Sequence, residues 1–197
     1  MSSFSRAAQS KPGEEKRLQG LGHAWHGAGL RNTREVSVTI YFYGADEVPY
    51  GCFSNFSDHG FDLDGVWWPT SEHYFQAQKF KGTRHADLIR RSRTPLRAAE
   101  LGRDSSNPLR RDWERVKDDV MRRAVVTKFR VHADIRDILL STGEEEIVED
   151  TTTDHYWGRG RTGNGKNMLG RILVRTRHQL CAELTEAFDG DGRRPGL

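Results

Sequence analysis

Residues 68–80 read Trp68-Pro-Thr-Ser-Glu-His-Tyr-Phe-Gln-Ala-Gln-Lys-Phe80, and this run organises the middle of the chain. The hydroxyl of Thr70 can cap the first free N–H groups of a helix, and no helix-breaking residue follows before Gly82. A helix is therefore predicted over 71–80.

Three polar side chains of this helix share one face. At about 100° per residue, Glu72, Gln76 and Lys79 lie within about 60° of one another, flanked by Phe75 and Phe80. Such a strip is either an ordinary exposed face, since Glu, Gln and Lys are good helix formers, or the wall of a pocket. In a pocket, the carboxyl of Glu72 beside an amine would have the shifted pKa that acid–base catalysis uses.

Helices also dominate the rest of the chain. Strands are predicted where β-branched and aromatic residues alternate, and helices where capping residues precede apolar residues at helical spacing. The predicted elements are a strand over 36–43, a hairpin over 61–68 that turns at Asp64-Gly65, helices over 95–102, 110–130, 134–140 and 167–188, and a strand over 146–149. The predicted fold class is mainly α (α+β), a compact single helical domain over 36–188 with a small β element. Residues 1–35 are predicted to be a flexible extension, and residues 189–197 a flexible tail.

Composition excludes several classes of protein. The chain has 197 residues, which suits one domain, and its net charge of +3 is too small for a basic stripe that binds duplex nucleic acid. Cys52 and Cys181 lie far apart, so no disulfide or zinc framework is expected, and a cytoplasmic location is predicted. No apolar run reaches the roughly 20 residues of a membrane span. No metal-binding spacing is present, and no cofactor is expected.

A glycine-rich basic loop follows Asp154 and Trp157. Within it, Gly158, Gly160, Gly163 and Gly165 would let backbone N–H groups approach an anion, and Arg159, Arg161 and Lys166 would add charge. The pattern resembles a dinucleotide-binding fingerprint and a Walker loop, but no apolar strand precedes it and Asn167 replaces the required hydroxyl. Both nucleotide motifs are rejected. A phosphate cradle and a plain surface turn remain open.

Two acidic residues can together catalyse the cleavage of a glycosidic bond. That reaction needs a carboxylate beside the sugar cation and a second group that activates water or protonates the leaving group. Glu72 and Asp154 are the candidates, and Trp157 can stack on a base or ribose.

A series of short motifs extends from residue 40 to about residue 180. In order, these motifs are Ile40-Tyr-Phe-Tyr43, Tyr50-Gly-Cys-Phe-Ser-Asn-Phe56, the 68–80 block, Ala99-Glu-Leu-Gly-Arg103, Arg111-Asp-Trp113, Lys128-Phe129, Leu139-Leu-Ser-Thr-Gly143, Asp154-His-Tyr-Trp-Gly-Arg-Gly160 and Asn167-Met-Leu-Gly170. The series resembles the NADAR family of YbiA-like N-glycosidases.

The resemblance implies a mainly helical fold with a small β element and an N-glycosidase activity. The family is associated with phosphoribosylamino-pyrimidine intermediates of riboflavin synthesis and with ADP-ribose on modified guanine. It would place Glu72, Lys79, Asp154 and Trp157 in the pocket, with Asn55, Gln76, Gly158 and Gly160 as further lining residues.

The leading hypothesis is a hydrolase of C1–N bonds on a phosphoribosyl or ADP-ribosyl substrate. Arg159, Arg161 or Lys166 would bind phosphate, while Glu72 and Asp154 would stabilise the cation and activate water. Lys79 would either attack ribose C1 to form an imine or balance charge, and the electrostatic role is the commoner use of a pocket lysine.

Two alternatives belong to other classes of protein. A noncatalytic ADP-ribose or NAD-binding module would use the same loop but would not need Glu72 and Lys79 on a separate helix. A nucleic-acid-binding protein is supported only by dispersed arginines, although the resemblance admits ADP-ribosylated nucleic acid as a partner. The sequence carries no signal of oligomeric state.

Overall fold

The computed structural model describes residues 38–191, with side chains as far as residue 187. In chain order its elements are β1 (Thr39–Phe42), a 3₁₀ turn (Tyr50–Phe53), β2 (Phe61–Leu63), β3 (Val66–Trp68), α1 (Ser71–Gln78), α2 (Arg84–Arg90), α3 (Pro95–Gly102), α4 (Trp113–Val131), α5 (Ala133–Ser141), β4 (Glu146–Glu149) and α6 (Met168–Asp191). This arrangement confirms the predicted mainly α, α+β fold class. Residues 1–35 and 192–197 lie outside the described residues, so the domain boundaries stay predictions.

The first and last strands form a two-stranded parallel sheet, although about a hundred residues separate them in the chain. Ile40 of β1 lies opposite Ile147 of β4, and both side chains are buried. The backbone N–H of Asp150 donates to the carbonyl of Phe42 over 2.8 Å, which extends the pairing past the last strand residue. The loops that leave both strands therefore start at the same edge of the sheet.

The hairpin of β2 and β3 has the predicted turn. Phe61 pairs with Trp68 and Leu63 with Val66 in antiparallel register. Asp64 and Gly65 have φ angles of 57° and 73°. Positive φ at both central residues is typical of the type I′ turn that joins two-residue hairpins.

Helix α1 lies in the centre of the fold, and all eight of its residues are buried. Its N-terminus is capped as predicted, because the Thr70 hydroxyl accepts a hydrogen bond from the N–H of His73 over 3.3 Å. The helix packs against α2, α3 and α4. Both the apolar and the polar face of α1 are thus inside the molecule.

The main hydrophobic core lies where α4 crosses α6. Buried apolar side chains of the two helices interdigitate there: Val120, Met121, Ala124, Val125 and Phe129 from α4, and Leu169, Ile172, Leu173 and Leu180 from α6. Each of these residues is almost fully removed from solvent. The apolar residues that form this core recur at helical spacing along both helices.

Two helices differ from the sequence-based expectation. Helix α2 was not predicted, because Ile89 is its only buried residue and seven residues are too few for a periodic pattern. Helix α6 continues to Asp191, three residues beyond the predicted end at 188, and is longer than α4. Among the described helices, none combines the length and apolar character needed to cross a membrane.

Candidate active site

A cavity of about 470 Å³ opens between α1 and the loops that leave β1 and β4. It brings together the predicted site residues Asn55, Glu72, Gln76, Lys79, Asp154 and Trp157. The remaining wall is formed by Tyr43, Gly44, Ala45, Ser54, Phe56, Phe75, Arg103, Met121, Glu149, Thr151 and Thr153. The wall thus combines acids, cations and amides with aromatic rings.

Glu72 lies in the first turn of α1 and is only 6% exposed. Its backbone N–H donates to the carbonyl of Asn55 over 3.0 Å, and Nε2 of Gln76 donates to its Oε1 over 2.7 Å. Burial raises the pKa of the Glu72 carboxyl, while the hydrogen bond from Gln76 and the charges of Lys79 and Arg103 act in the opposite direction. The polar strip of α1 is therefore a buried pocket wall and not a solvated face.

Lys79 caps the C-terminal end of the same helix. Its Nζ donates to the carbonyl of Gly102 over 3.1 Å and lies 5.6 Å from the ring centroid of Phe75 and 5.9 Å from that of Trp113. Burial lowers the pKa of the Lys79 amine, and the charge of Glu72 partly opposes this effect. An amine held in this way is a candidate nucleophile as well as a candidate cation.

The close approach of α3 to α1 depends on Gly102. A Cβ atom at this position would lie 2.6 Å from Cδ of Gln76, and even closer to its Oε1. Without a side chain at Gly102, the Gln76 amide has room to reach Glu72. The same backbone position also presents the carbonyl that Lys79 contacts.

Glu149 is a wall residue that was not predicted from the sequence. Its Oε2 is buried and has no hydrogen-bond partner among residues 38–191. Burial raises the pKa of Glu149 to about 7, and the charges of Asp154 and Glu72 act in the same direction. Its position could have revealed it, because it ends a predicted strand directly before the loop that bears Asp154.

Asp154 organises the turn that carries Trp157. Its Oδ1 accepts hydrogen bonds from the backbone N–H groups of Tyr156 and Trp157, each over 2.7 Å. The indole of Trp157 packs edge-on against the ring of Phe75, with centroids 5.2 Å apart. Asp154 therefore stabilises the turn that holds Trp157 in the cavity wall. Its catalytic role stays a prediction.

Two further polar side chains complete the wall. Asn55 is 8% exposed, and within the described part of the chain its buried Oδ1 has no hydrogen-bond partner. Arg103, which was not predicted, follows α3 and acts on the pKa of Glu72. Together with Lys79 it supplies the positive charge of the wall.

The glycine-rich loop lies outside this wall. A Cβ atom at Gly158 would lie 2.8 Å from the carbonyl oxygen of Glu149, and one at Gly160 would meet the ring of His155. Gly160 also has a φ of 66°, which favours glycine. Both glycines thus pack closely against the segment that precedes the loop, and neither lines the cavity.

The basic side chains of the loop do not line the cavity either. The guanidinium of Arg159 forms an ion pair with Asp150, while Arg161 and Lys166 are exposed. Nζ of Lys166 lies 5.0 Å from the ring centroid of Tyr156. None of the three cations lines the cavity, and their predicted contacts to a phosphate stay predictions.

The ends of the loop are tied to each other by backbone hydrogen bonds. The N–H of Asn167 donates to the carbonyl of Gly158 over 3.1 Å, and the N–H of Gly165 to that of Arg159 over 2.7 Å. The N–H of Leu169 in turn donates to the carbonyl of Trp157 over 3.1 Å. Trp157 is therefore joined to the start of α6 without help from the intervening loop.

No cluster of three or more His, Cys, Asp or Glu side chains within residues 38–191 is arranged to hold a metal ion. The acids of the cavity are accompanied instead by amides and by Lys79 and Arg103.

Comparison with known proteins relates this chain to named enzymes. The chain is 51% identical over 146 residues to N-glycosidase Npun_R5314 of Nostoc punctiforme, which covers 73% of this chain and 93% of the relative. It is 50% identical over 144 residues to N-glycosidase YbiA of Escherichia coli, which covers 73% of this chain and 89% of the relative. It is also 39% identical over 141 residues to the riboflavin biosynthesis protein VVA0006 of Vibrio vulnificus, which covers 72% of this chain and 38% of that longer relative.

The fold has a solved counterpart. The NMR structure of Escherichia coli YbiA superposes with a TM-score of 0.71 at 49% sequence identity, covering 76% of this chain and 89% of that structure. The model of the NADAR domain matches residues 41–181, which include every wall residue of the cavity. Since this match spans well over half of the sequence, the chain belongs to the NADAR domain family.

Proposed function

We propose that this protein hydrolyses the C1–N bond between a phosphorylated ribose, or the ribose of ADP-ribose, and a nucleobase-like group. The protein is a hydrolase of N-glycosyl compounds, the activity for which its curated relatives are named. The observation that carries the substrate proposal is the convergence of Glu72, Glu149 and Asp154 with the amine of Lys79 in one cavity.

Cleavage of a C1–N bond leaves positive charge on the sugar carbon and an electron pair on the departing nitrogen. A carboxyl with a pKa of about 7, as in Glu149, retains its proton at neutral pH in a large fraction of molecules and can donate it to that nitrogen. A second carboxyl can stabilise the sugar cation and activate water when it is ionised, and Gln76, Lys79 and Arg103 favour the ionised form of Glu72 against the effect of its burial. Glu72 is assigned this second role, and Asp154 supports it while holding Trp157 in place.

Lys79 can take part in one of two ways. Its amine can attack C1, so that the bond to the base breaks and a ring-opened imine forms that water then hydrolyses. Alternatively, its ammonium balances the charge of Glu72 or of a phosphate while water attacks directly. The two routes share the same substrate and product, and they differ in one transient covalent bond to the protein.

Binding of the sugar is assigned to the amides of the wall. Oδ1 of Asn55 and Oε1 of Gln76 are buried acceptors, and no donor reaches them from the described residues. Both residues line the cavity, where their amides can exchange hydrogen bonds with ribose hydroxyls. The indole of Trp157 would contact the base, and Arg103 a phosphate. Contacts from Arg159, Arg161 and Lys166 to a phosphate outside the cavity stay predictions.

A noncatalytic ADP-ribose module is less well supported. Burying several carboxyls next to one another reduces stability. An enzyme gains catalysis in return, whereas a binding module gains nothing from that arrangement. A cytoplasmic location and ADP-ribosylated nucleic acid as a partner remain part of the proposal.

The test is a substrate assay with two chemically distinct N-glycosides. ADP-ribosylated guanosine and a phosphoribosylamino-pyrimidine are incubated separately with the protein, and mass spectrometry follows release of ADP-ribose or ribose phosphate. We expect cleavage of at least one of them by the natural protein and none by the Glu72→Gln variant. If neither compound is cleaved, the proposed substrate class is wrong.

A further inference from the structure

A second buried lysine, Lys128, lies on α4 and outside the wall of the cavity. Its side chain is fully buried, with 0% exposed. Nζ donates to the carbonyl of Cys52 over 2.7 Å, to the carbonyl of Ser54 over 3.1 Å and to Oγ of Ser57 over 3.1 Å. The three acceptors match the three N–H donors of an ammonium group.

All three acceptors belong to segment 52–57, which forms part of the cavity wall. Ser54 and Asn55 of this segment line the cavity. The carbonyl of Asn55 also accepts the hydrogen bond from the backbone N–H of Glu72. The segment therefore connects Lys128 on α4 to the first turn of α1.

The position of Lys128 is costly for an amine. Its neighbours on the helix include Val125 and Phe129, both fully buried, and burial lowers the pKa of Lys128 to about 7. A methionine would fill a similar volume without this cost, but it would remove three hydrogen bonds and leave the carbonyls of Cys52 and Ser54 with only their bonds from Ser57, over 3.3 Å and 3.2 Å. The lysine therefore contributes hydrogen bonds that fix the irregular backbone of segment 52–57.

We propose that Lys128 is a positioning residue of the active site, which fixes segment 52–57 so that the side-chain amide of Asn55 faces the substrate. The role is indirect, because Lys128 does not reach the cavity. The effect on turnover rests on the proposed function, whereas the effect on the conformation of Asn55 does not.

The first experiment therefore measures conformation without a substrate. In the Lys128→Met variant we expect the side-chain amide resonances of Asn55 to shift in an ¹⁵N-correlated NMR spectrum. We also expect the backbone amides of 52–57 to exchange hydrogen at least about tenfold faster. Ser57→Ala, which removes one of the three acceptors, should change both quantities in the same direction by a smaller amount. It also serves as the test if Lys128→Met does not fold.

Arg177 provides a matched control. It is another buried cation, 3% exposed, and it donates to Oγ1 of Thr142 over 2.8 Å and to the carbonyl of Glu145 over 2.9 Å, outside the cavity wall. Arg177→Met should lower the melting temperature but leave the Asn55 resonances unchanged. If Lys128→Met and Arg177→Met shift the Asn55 resonances equally, the proposal is overturned.

The second experiment is a double-mutant cycle on kcat/KM. Lys128→Met should lower kcat/KM by about tenfold in the natural background, but by no more than about twofold in an Asn55→Ala background, since its effect passes through Asn55. Equal losses in both backgrounds would show that Lys128 does not act through Asn55. Failure to cleave any tested N-glycoside would count against the proposed function alone, because the NMR result stands without a substrate.

Discussion

Gln76 donates from Nε2 to Oε1 of Glu72 over 2.7 Å, and this bond sets the orientation of its amide. Because the N–H side faces Glu72, the carbonyl side of Gln76 is left buried, and no donor reaches it within residues 38–191. The carbonyl oxygen lies beside Gly102, so the hydrogen bond to Glu72 and the close approach of α3 together fix the amide. Changes at Glu72 are therefore expected to affect both catalysis and binding geometry.

Glu72→Gln should preserve the fold and lower turnover by at least about a hundredfold, because a positioned acid–base group is lost from a nearly isosteric side chain. Steady-state kinetics on the cleaved N-glycoside measures the loss, and circular dichroism measures the fold. Glu146→Gln, at an exposed position of β4, is the matched control and should leave turnover unchanged. Near-normal turnover in Glu72→Gln would remove Glu72 from the mechanism.

Lys79 should form a trappable imine with the sugar. Burial lowers the pKa of its amine, which is the direction that a nucleophilic lysine needs, whereas the sequence alone favoured the electrostatic role. Cyanoborohydride added during turnover should leave a sugar adduct on Lys79 in a peptide map, and Lys79→Arg should be inactive. Lys81→Arg, at an exposed position, is the control. Measurable activity of Lys79→Arg without an adduct would favour the electrostatic role.

Glu149 should make stability depend on pH between about 4.5 and 7. Its pKa is raised from 4.5 to about 7 by folding, so in this window the unfolded chain releases a proton that the folded protein retains. The free energy of unfolding should therefore fall as pH rises from 4.5 to 7, by an amount on the order of 3 kcal/mol at most, and level off above 7. Glu149→Gln should flatten this part of the profile in urea titrations. An unchanged slope would show that Glu149 titrates normally.

Gly102→Ala should destabilise the protein by about 1–3 kcal/mol, because the added methyl group overlaps the Gln76 amide. The displaced amide should also reduce activity. Chemical denaturation measures the loss of stability. In a Gln76→Ala background the overlap with the amide is removed and only the Cβ atom of residue 76, 2.8 Å away, remains close, so Gly102→Ala should then cost less. A full loss of stability in both backgrounds would point to a different cause.

Local signals account for the parts of the fold that the sequence predicted. Thr70 starts α1 through its own side chain, and the Asp64-Gly65 pair forms the turn of the hairpin through its own backbone angles. Neither feature depends on distant residues. The shared face of Glu72 and Lys79 follows from helical spacing alone, although its burial depends on packing against other helices.

Long-range packing accounts for what was not predicted. Glu149 reaches the cavity because β4 pairs with β1, and Arg103 because Gly102 lets α3 approach α1. Both relations join segments that are far apart in the chain. The glycines of the loop at 158–165 were interpreted as ligand contacts, whereas Gly158 and Gly160 relieve crowding against neighbouring segments, which spacing alone does not reveal.

Because backbone hydrogen bonds close the 158–167 loop at its base, the loop can change in sequence without affecting the cavity wall. Trp157 and the start of α6 are joined directly, so residues inserted within the loop would not displace them. The entropy of closing a loop rises by only about 0.6 kcal/mol for each doubling of its length. The length and charge of this surface loop can therefore vary among related proteins while the arrangement of the cavity wall stays the same.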